Sequence, residues 1–185
     1  YICDDFAGRI YVYDPATGIT VADYPTPNRA GLGLAWDGQA LWLADNARSE
    51  LYRLIPGDGT ALTYFPAPQG EPSGLAFDGT YLWVAQRLHD RVYMVAPATG
   101  KAITSFVSPG PYPCGLAPAP GGRLWLADLE EGVVHLCAPR EARRYQTRDW
   151  REAEMRLVYR LENHGPGDVI QAIVNLAVPE LESEH

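Results

Sequence analysis

Two matching phrases govern what this chain can fold into: GLAWDG at Gly33–Gly38 and GLAFDG at Gly74–Gly79, each followed by an aromatic run, LWLAD and then LWVAQ. The step between them is 41 residues, and it holds along the whole unit: Trp42 to Trp83, Leu51 to Val92, Pro56 to Pro97, Phe65 to Phe106. It also extends backward, with Tyr1, Asp4, Ile10 and Tyr24 standing 41 before Trp42, Asp45, Leu51 and Phe65. Forward, Gly74-Leu75-Ala76 maps to Gly115-Leu116-Ala117, after which the register slips by one and Trp83 maps to Trp125. The chain therefore enters one unit late, completes two, and leaves a fourth unfinished.

Turn chemistry divides each unit into four short strands. In the first complete unit these are predicted at Leu34–Trp36, Leu41–Ala44, Leu51–Ile55 and Ala61–Phe65. Asp37-Gly38 suits a hairpin needing positive φ, and DPATG, PGDG and APATG carry Pro-plus-Gly punctuation. Nothing here has the 3.6-residue periodicity and caps of a helix. Four strands in about 41 residues make the blade of a β-propeller. The second strand of each unit is apolar at both alternating sets of positions, as expected of a blade sandwiched between two others. The fold class is all-β: a partial β-propeller over residues 1–139, then a linker at 140–152 and the start of a sandwich-like β-domain at 153–185.

The succession Pro-x-Gly-Leu-Ala-x-Asp-Gly, Leu-Trp-Val/Leu-Ala, Val/Leu-Tyr, Pro-x-Thr-Gly and Phe-x-x-Pro resembles the NHL, virginiamycin B lyase-like and glutamine-cyclotransferase-like propellers over about residues 1–139. WD40/YVTN-like repeats come second, because the Gly-His opening and Trp-Asp ending of WD40 are missing. The resemblance implies ligand binding on the face where the loops from second to third strand, and from fourth strand to the next blade, gather. It also implies an extracytoplasmic bacterial setting. A closed propeller needs about four or more blades, so the chain reads as a piece of a longer protein whose remaining blades lie elsewhere.

Composition narrows the partners. A net charge of −8 and a pI near 4.9 argue against nucleic acid and against a polybasic membrane patch. No run approaches the roughly 20 apolar residues of a membrane helix. Cys3, Cys114 and Cys137 are odd in number and lack CxxC spacing, so they read as small buried hydrophobes, not as a disulfide framework or zinc site.

One position recurs directly after the second strand: Asp4, Asp45, Gln86, Asp128. A ring of carboxylates could hold calcium, but Asp and Asn after a strand ordinarily bond nearby backbone amides and set a turn. Turn-setting is the expectation here, with a polar ligand second and no metal or cofactor assigned. Arg48, Arg87 and His89 sit in the same loops; paired arginines suit a carboxylate or phosphate, and a loop histidine suits general base work. The candidate ligand-binding set is thus Asp45, Arg48, Gln86, Arg87, His89 and Asp128. The Trp-Phe-Thr-Glu strand ending common in the lyase is replaced by Leu-Ala-Asp or Val-Ala-Gln, and no catalytic residue is assigned. His135 stands where Tyr93 does on a strand and is expected in the core.

After Pro139 the repeat dissolves into the charged REARRYQTRDWRE. Two longer strands follow, at about Glu154–Glu162 and Val169–Val178, joined by NHGPGD. This segment resembles the β-domain preceding a bacterial transglutaminase-like core. The expected function is a binding or interaction module for a protein, peptide or small polar ligand, attached to such a catalytic domain. The alternative is a propeller enzyme of lyase or cyclotransferase type with its site on the loop face.

Overall fold

The computed structural model describes residues 1–139 and the backbone of two further strands, Leu157–Leu161 and Ala172–Asn175. Four antiparallel sheets follow one another along the chain. The first contains β1 (Ile2–Asp4), β2 (Arg9–Asp14) and β3 (Ile19–Pro25). The second contains β4 (Gly31–Trp36), β5 (Leu41–Asp45), β6 (Glu50–Leu54) and β7 (Ala61–Pro66), and the third β8 (Pro72–Phe77), β9 (Leu82–Gln86), β10 (Arg91–Val95) and β11 (Ala102–Val107). The fourth opens with β12 (Pro113–Ala119), β13 (Arg123–Asp128) and β14 (Val133–Cys137). Among the described residues the one helical element is a single 3-10 turn, Pro120–Gly122.

The repeated Gly-Leu-Ala has a steric cause. The innermost strands of successive sheets lie side by side, and a β-carbon on Gly33 would come 2.9 Å from the Leu75 nitrogen and 3.0 Å from Gly74 Cα. One on Gly74 would come 3.0 Å from the Cys114 carbonyl oxygen and 3.1 Å from Gly115 Cα. Only glycine admits backbone this close. A register shift falls at the same place in all three sheets, between Gly31 and Gly33, Pro72 and Gly74, and Pro113 and Gly115. It explains why β4 begins at Gly31 and not at the predicted Leu34: the bulge steps past Leu32 and lets Gly31 pair with Asp45.

The Asp-Gly phrase does more than turn the chain. Asp37 Oδ1 accepts from the Gln39 and Ala40 amides while Oδ2 accepts from Trp42 Nε1 at 3.0 Å. Asp78 repeats the set with Thr80, Tyr81 and Trp83 Nε1 at 2.9 Å. Each aspartate thus gives a buried indole its acceptor, so the tryptophan can enter an apolar interface without an orphaned N–H.

Each sheet-to-sheet junction carries its own core. Ile10, Tyr24, Leu41, Leu43 and Leu54 join the first sheet to the second. Trp42, Leu51, Leu82, Val84 and Val95 join the second to the third, with Phe65 stacked on Trp42. Trp83, Val92, Met94, Leu124 and Leu126 join the third to the fourth, with Phe106 against Trp83. Every residue of β5 and β9 is buried. In β13 burial alternates instead, with Leu124, Leu126 and Asp128 buried and Arg123, Trp125 and Ala127 partly exposed. The third sheet covers one face of β13, and no further blade among the described residues covers the other.

Past β14, β15 (Leu157–Leu161) pairs antiparallel with β14, Val134 opposite Tyr159, and then with β16 (Ala172–Asn175), Tyr159 opposite Val174. The predicted linker at 140–152 and the NHGPGD turn lie outside the described residues. His135 is buried on β14, as its place in the repeat implied, with Nε2 3.4 Å from Glu131 Oε2.

Candidate functional site

The loops after the second strand of each sheet meet the loops that lead into the next sheet. Thr26 N donates to Gly8 O, Ala67 N to Ser49 O at 2.7 Å, Ser108 N to Asp90 O at 2.6 Å and Leu129 N to Tyr112 O at 3.0 Å. The first three are one alliance of two loops repeated from sheet to sheet, and the fourth, like Asn46 N to Ala30 O at 3.2 Å, ties such a loop to the one entering its own sheet; together they build one face.

Within it the recurring post-strand residue plays one part throughout. Asp4 Oδ1 accepts from Ala7 N, Asp45 Oδ1 from Arg48 N, Gln86 Oε1 from His89 N and Asp128 Oδ1 from Glu131 N, all at 2.8–2.9 Å. The shared geometry is an acceptor capping the amide three residues on, which is why glutamine can replace aspartate. Asp128 Oδ2 also accepts from Tyr112 N at 2.7 Å and locks the incoming loop. Asp45, Gln86 and Asp128 are buried. Asp45 Oδ2 is buried with no hydrogen-bond partner among the described residues. Among the described residues no three His, Cys, Asp or Glu side chains are placed to hold a metal ion together.

The charged candidates diverge. Arg87 is committed to its neighbours: Nη1 donates to Tyr112 Oη at 2.7 Å, the guanidinium lies 5.7 Å from the Tyr112 ring centre, and Glu71 Oε2 is 3.4 Å away. It ties the loop entering the third sheet to the loop entering the fourth. Arg48 and His89 are exposed, and no described hydrogen bond or ion pair engages either side chain. Glu71 and Tyr112, which orient Arg87, were not predicted from sequence, because neither falls on the repeated phrase. A parallel link joins Asn28 Nδ2 to Tyr52 Oη at 2.7 Å, with Tyr52 Oη donating to Glu50.

Apolar side chains stand out of this face. Phe6 is 99% exposed, Leu88 58% and Leu129 65%, each on a turn following a second strand. The cysteines offer no reactive centre there. All three are free thiols, Cys3 and Cys114 donating to the Gly31 and Ala127 carbonyls. Burial pushes Cys137 up to about 12, and burial with the nearby Asp5 and Asp4 carboxylates pushes Cys3 up to about 11.

The stacked four-stranded sheets, with inner strands in contact at glycine, define a partial β-propeller. Solved structures agree. The glutaminyl cyclase of Myxococcus xanthus superposes with a TM-score of 0.53 at 16% identity over 65% of this chain and 60% of that one. Virginiamycin B lyase from Staphylococcus aureus gives 0.52 at 20% identity, covering 71% and 45%, and the WD40 repeats of RRP9 give 0.56 at 18%, covering 74% and 44%. The chain therefore spans 60% of the cyclase and less than half of the other two. At these identities the likeness is one of fold. No protein-family model and no curated protein sequence matches the chain.

Proposed function

We propose that these blades form a binding module whose loop face docks a protein or peptide. The observation carrying this reading is the placement of exposed Phe6, Leu88 and Leu129 on the loop face beside the unengaged Arg48 and His89. Isolated exposed apolar residues are ordinary on a protein surface. Apolar tips repeated on a face braced by lateral hydrogen bonds are what a docking surface needs: anchors to bury, charges to orient, and little backbone ordering on binding.

In the same reading the segment beyond residue 139, whose β15 and β16 extend the fourth sheet, leads into a second β-domain that connects the module to transglutaminase-like catalysis, and the protein works outside the cytoplasm. The lyase or cyclotransferase alternative would need an acid or metal beside His89, and the described contacts of His89 consist of its backbone bond to Gln86.

The test is a photo-activatable cross-linker placed at residue 88 or, as control, at Tyr64 on the outer edge, followed by binding measurements with the purified captured protein. Leu88→Ser should weaken that complex about tenfold or more, as loss of a buried anchor does. Capture from position 64 and not 88, or an affinity indifferent to Leu88→Ser, would reject the loop face as the docking surface.

A further inference from the structure

The opposite end of the blades carries a feature that breaks the repeat. Opposite the second-strand tryptophans Trp42, Trp83 and Trp125 the sheets place Arg53, Met94 and Leu136, and the same repeat position in the first sheet is Val12. Three of these are apolar. Met94 is fully buried in the junction between the third and fourth sheets, and Val12 packs against the first junction's core. Arg53 cannot fill its junction in that way, and a cleft of about 580 Å³ opens beside it between the second and third sheets. Its apolar walls come from Trp42, Phe65, Phe77, Pro97 and Ala98, and its polar side from Gln39, Thr63 and the Arg53–Asp37 ion pair, whose guanidinium Nη groups are the cationic part turned to a ligand.

The arginine is held in place. Its Nε donates to Asp37 Oδ2 at 2.8 Å, leaving the two Nη groups uncommitted among the described hydrogen bonds. Asp37 in turn accepts from four donors, the Gln39 and Ala40 amides, Trp42 Nε1 and Arg53 Nε, so its charge is spread into the turn. Asp78 makes the same amide and indole bonds in the next sheet, where Met94 stands at the position corresponding to Arg53. What Arg53 adds is a pre-oriented cation at the edge of an aromatic cleft of ligand-pocket size.

We infer that this cleft binds a small carboxylate carried on a flat apolar body, an aromatic acid, with the Arg53 guanidinium on the carboxylate and Phe65, Phe77 and Pro97 around the ring. The inference is independent of the loop face. It uses a different end of the blades and none of the residues there.

Phenylacetate is the probe, titrated into the full chain while the indole N–H resonance of Trp42 is followed by NMR, with that peak identified by its loss in Trp42→Phe. The expected result is a saturable shift of this peak with a Kd on the order of 1 mM. Phenylacetamide and Arg53→Met should each weaken binding about tenfold or more, the loss of one charge-assisted hydrogen bond, whereas Arg123→Ala, an arginine of the fourth sheet bonded to the Pro120 carbonyl, should change nothing. Arg53→Gln is read in place of Arg53→Met should the latter fail to fold. Equal binding of acid and amide, equal binding by wild type and the Arg53 variants, or no Trp42 shift at about 10 mM phenylacetate would overturn it.

Discussion

Replacing Trp83 by alanine is the sharpest test of how these sheets are held together. The indole is 1% exposed, donates to Asp78 Oδ2 at 2.9 Å, lies 6.2 Å from the Phe106 ring centre, and shares a core with Val92 of its own sheet and with Leu124 and Leu126 across the junction. Its removal deletes a full aromatic payload and leaves a cavity between two sheets that cannot close without moving both, a cost of about 3–5 kcal/mol. For a chain of this size that is a fall of roughly 6–20 °C in Tm. Trp125 supplies the internal control. It occupies the same repeat position, yet it is partly exposed because no described blade covers that face of β13. Trp125→Ala should cost only about 1–2 kcal/mol by the area it buries. Urea unfolding of both variants, followed by far-UV circular dichroism, gives the two values on one scale. Equal losses, or a Trp83→Ala midpoint unchanged from wild type, would refute the view that stability resides in the sheet-to-sheet junctions.

Three other perturbations bear on the same architecture. Gly74→Val should destabilise by about 1–3 kcal/mol, since even a β-carbon there lies 3.0 Å from the Cys114 carbonyl oxygen, whereas Gly38→Ala, with open space around it, should cost only the strain of its positive φ; denaturation midpoints compare them. Burial works to raise the Asp37 carboxyl, but hydrogen bonds from Arg53, the Ala40 and Gln39 amides and Trp42 outweigh it and hold the group below its ordinary 3.8. A depressed carboxylate stabilises the fold above its unfolded-state value and loses that contribution as pH falls through the folded one. Asp37→Asn should therefore flatten the acid limb of a stability profile taken from pH 6 to pH 3, and an unaltered limb would contradict the assignment. Native protein should react slowly with iodoacetamide at pH 8 at Cys3, Cys114 and Cys137, whose thiols burial keeps protonated, and quickly in urea; fast native labelling, read by mass spectrometry, would count against their placement.

Much of the fold was legible because a blade is a local unit. The 41-residue step, the Asp-Gly turns and the doubly apolar second strands each reflect a contact that every junction repeats, so one chain supplies its own comparison. The turn-setting role of Asp4, Asp45, Gln86 and Asp128 was readable for the same reason. The links of Arg87 to Glu71 and Tyr112 were not, because they join loops of different blades through residues that occur once. Arg53 lay in plain view as the charged member of the series Val12, Arg53, Met94, Leu136, but its meaning needed the cleft beside it. The indole bonds to Asp37 and Asp78 were also missed, although a spacing of five residues between aspartate and tryptophan in both complete units was a signal that could have found them.

The loop face stands or falls on where a partner touches the blades. Hydrogen exchange of the full chain, with and without the protein captured by cross-linking, reports this along the backbone. Docking on the loop face predicts protection confined to 5–8, 46–49, 87–90 and 129–132, with the outer strands β3, β7 and β11 unchanged. Protection of those outer strands, with the four turns exchanging as before, would contradict it.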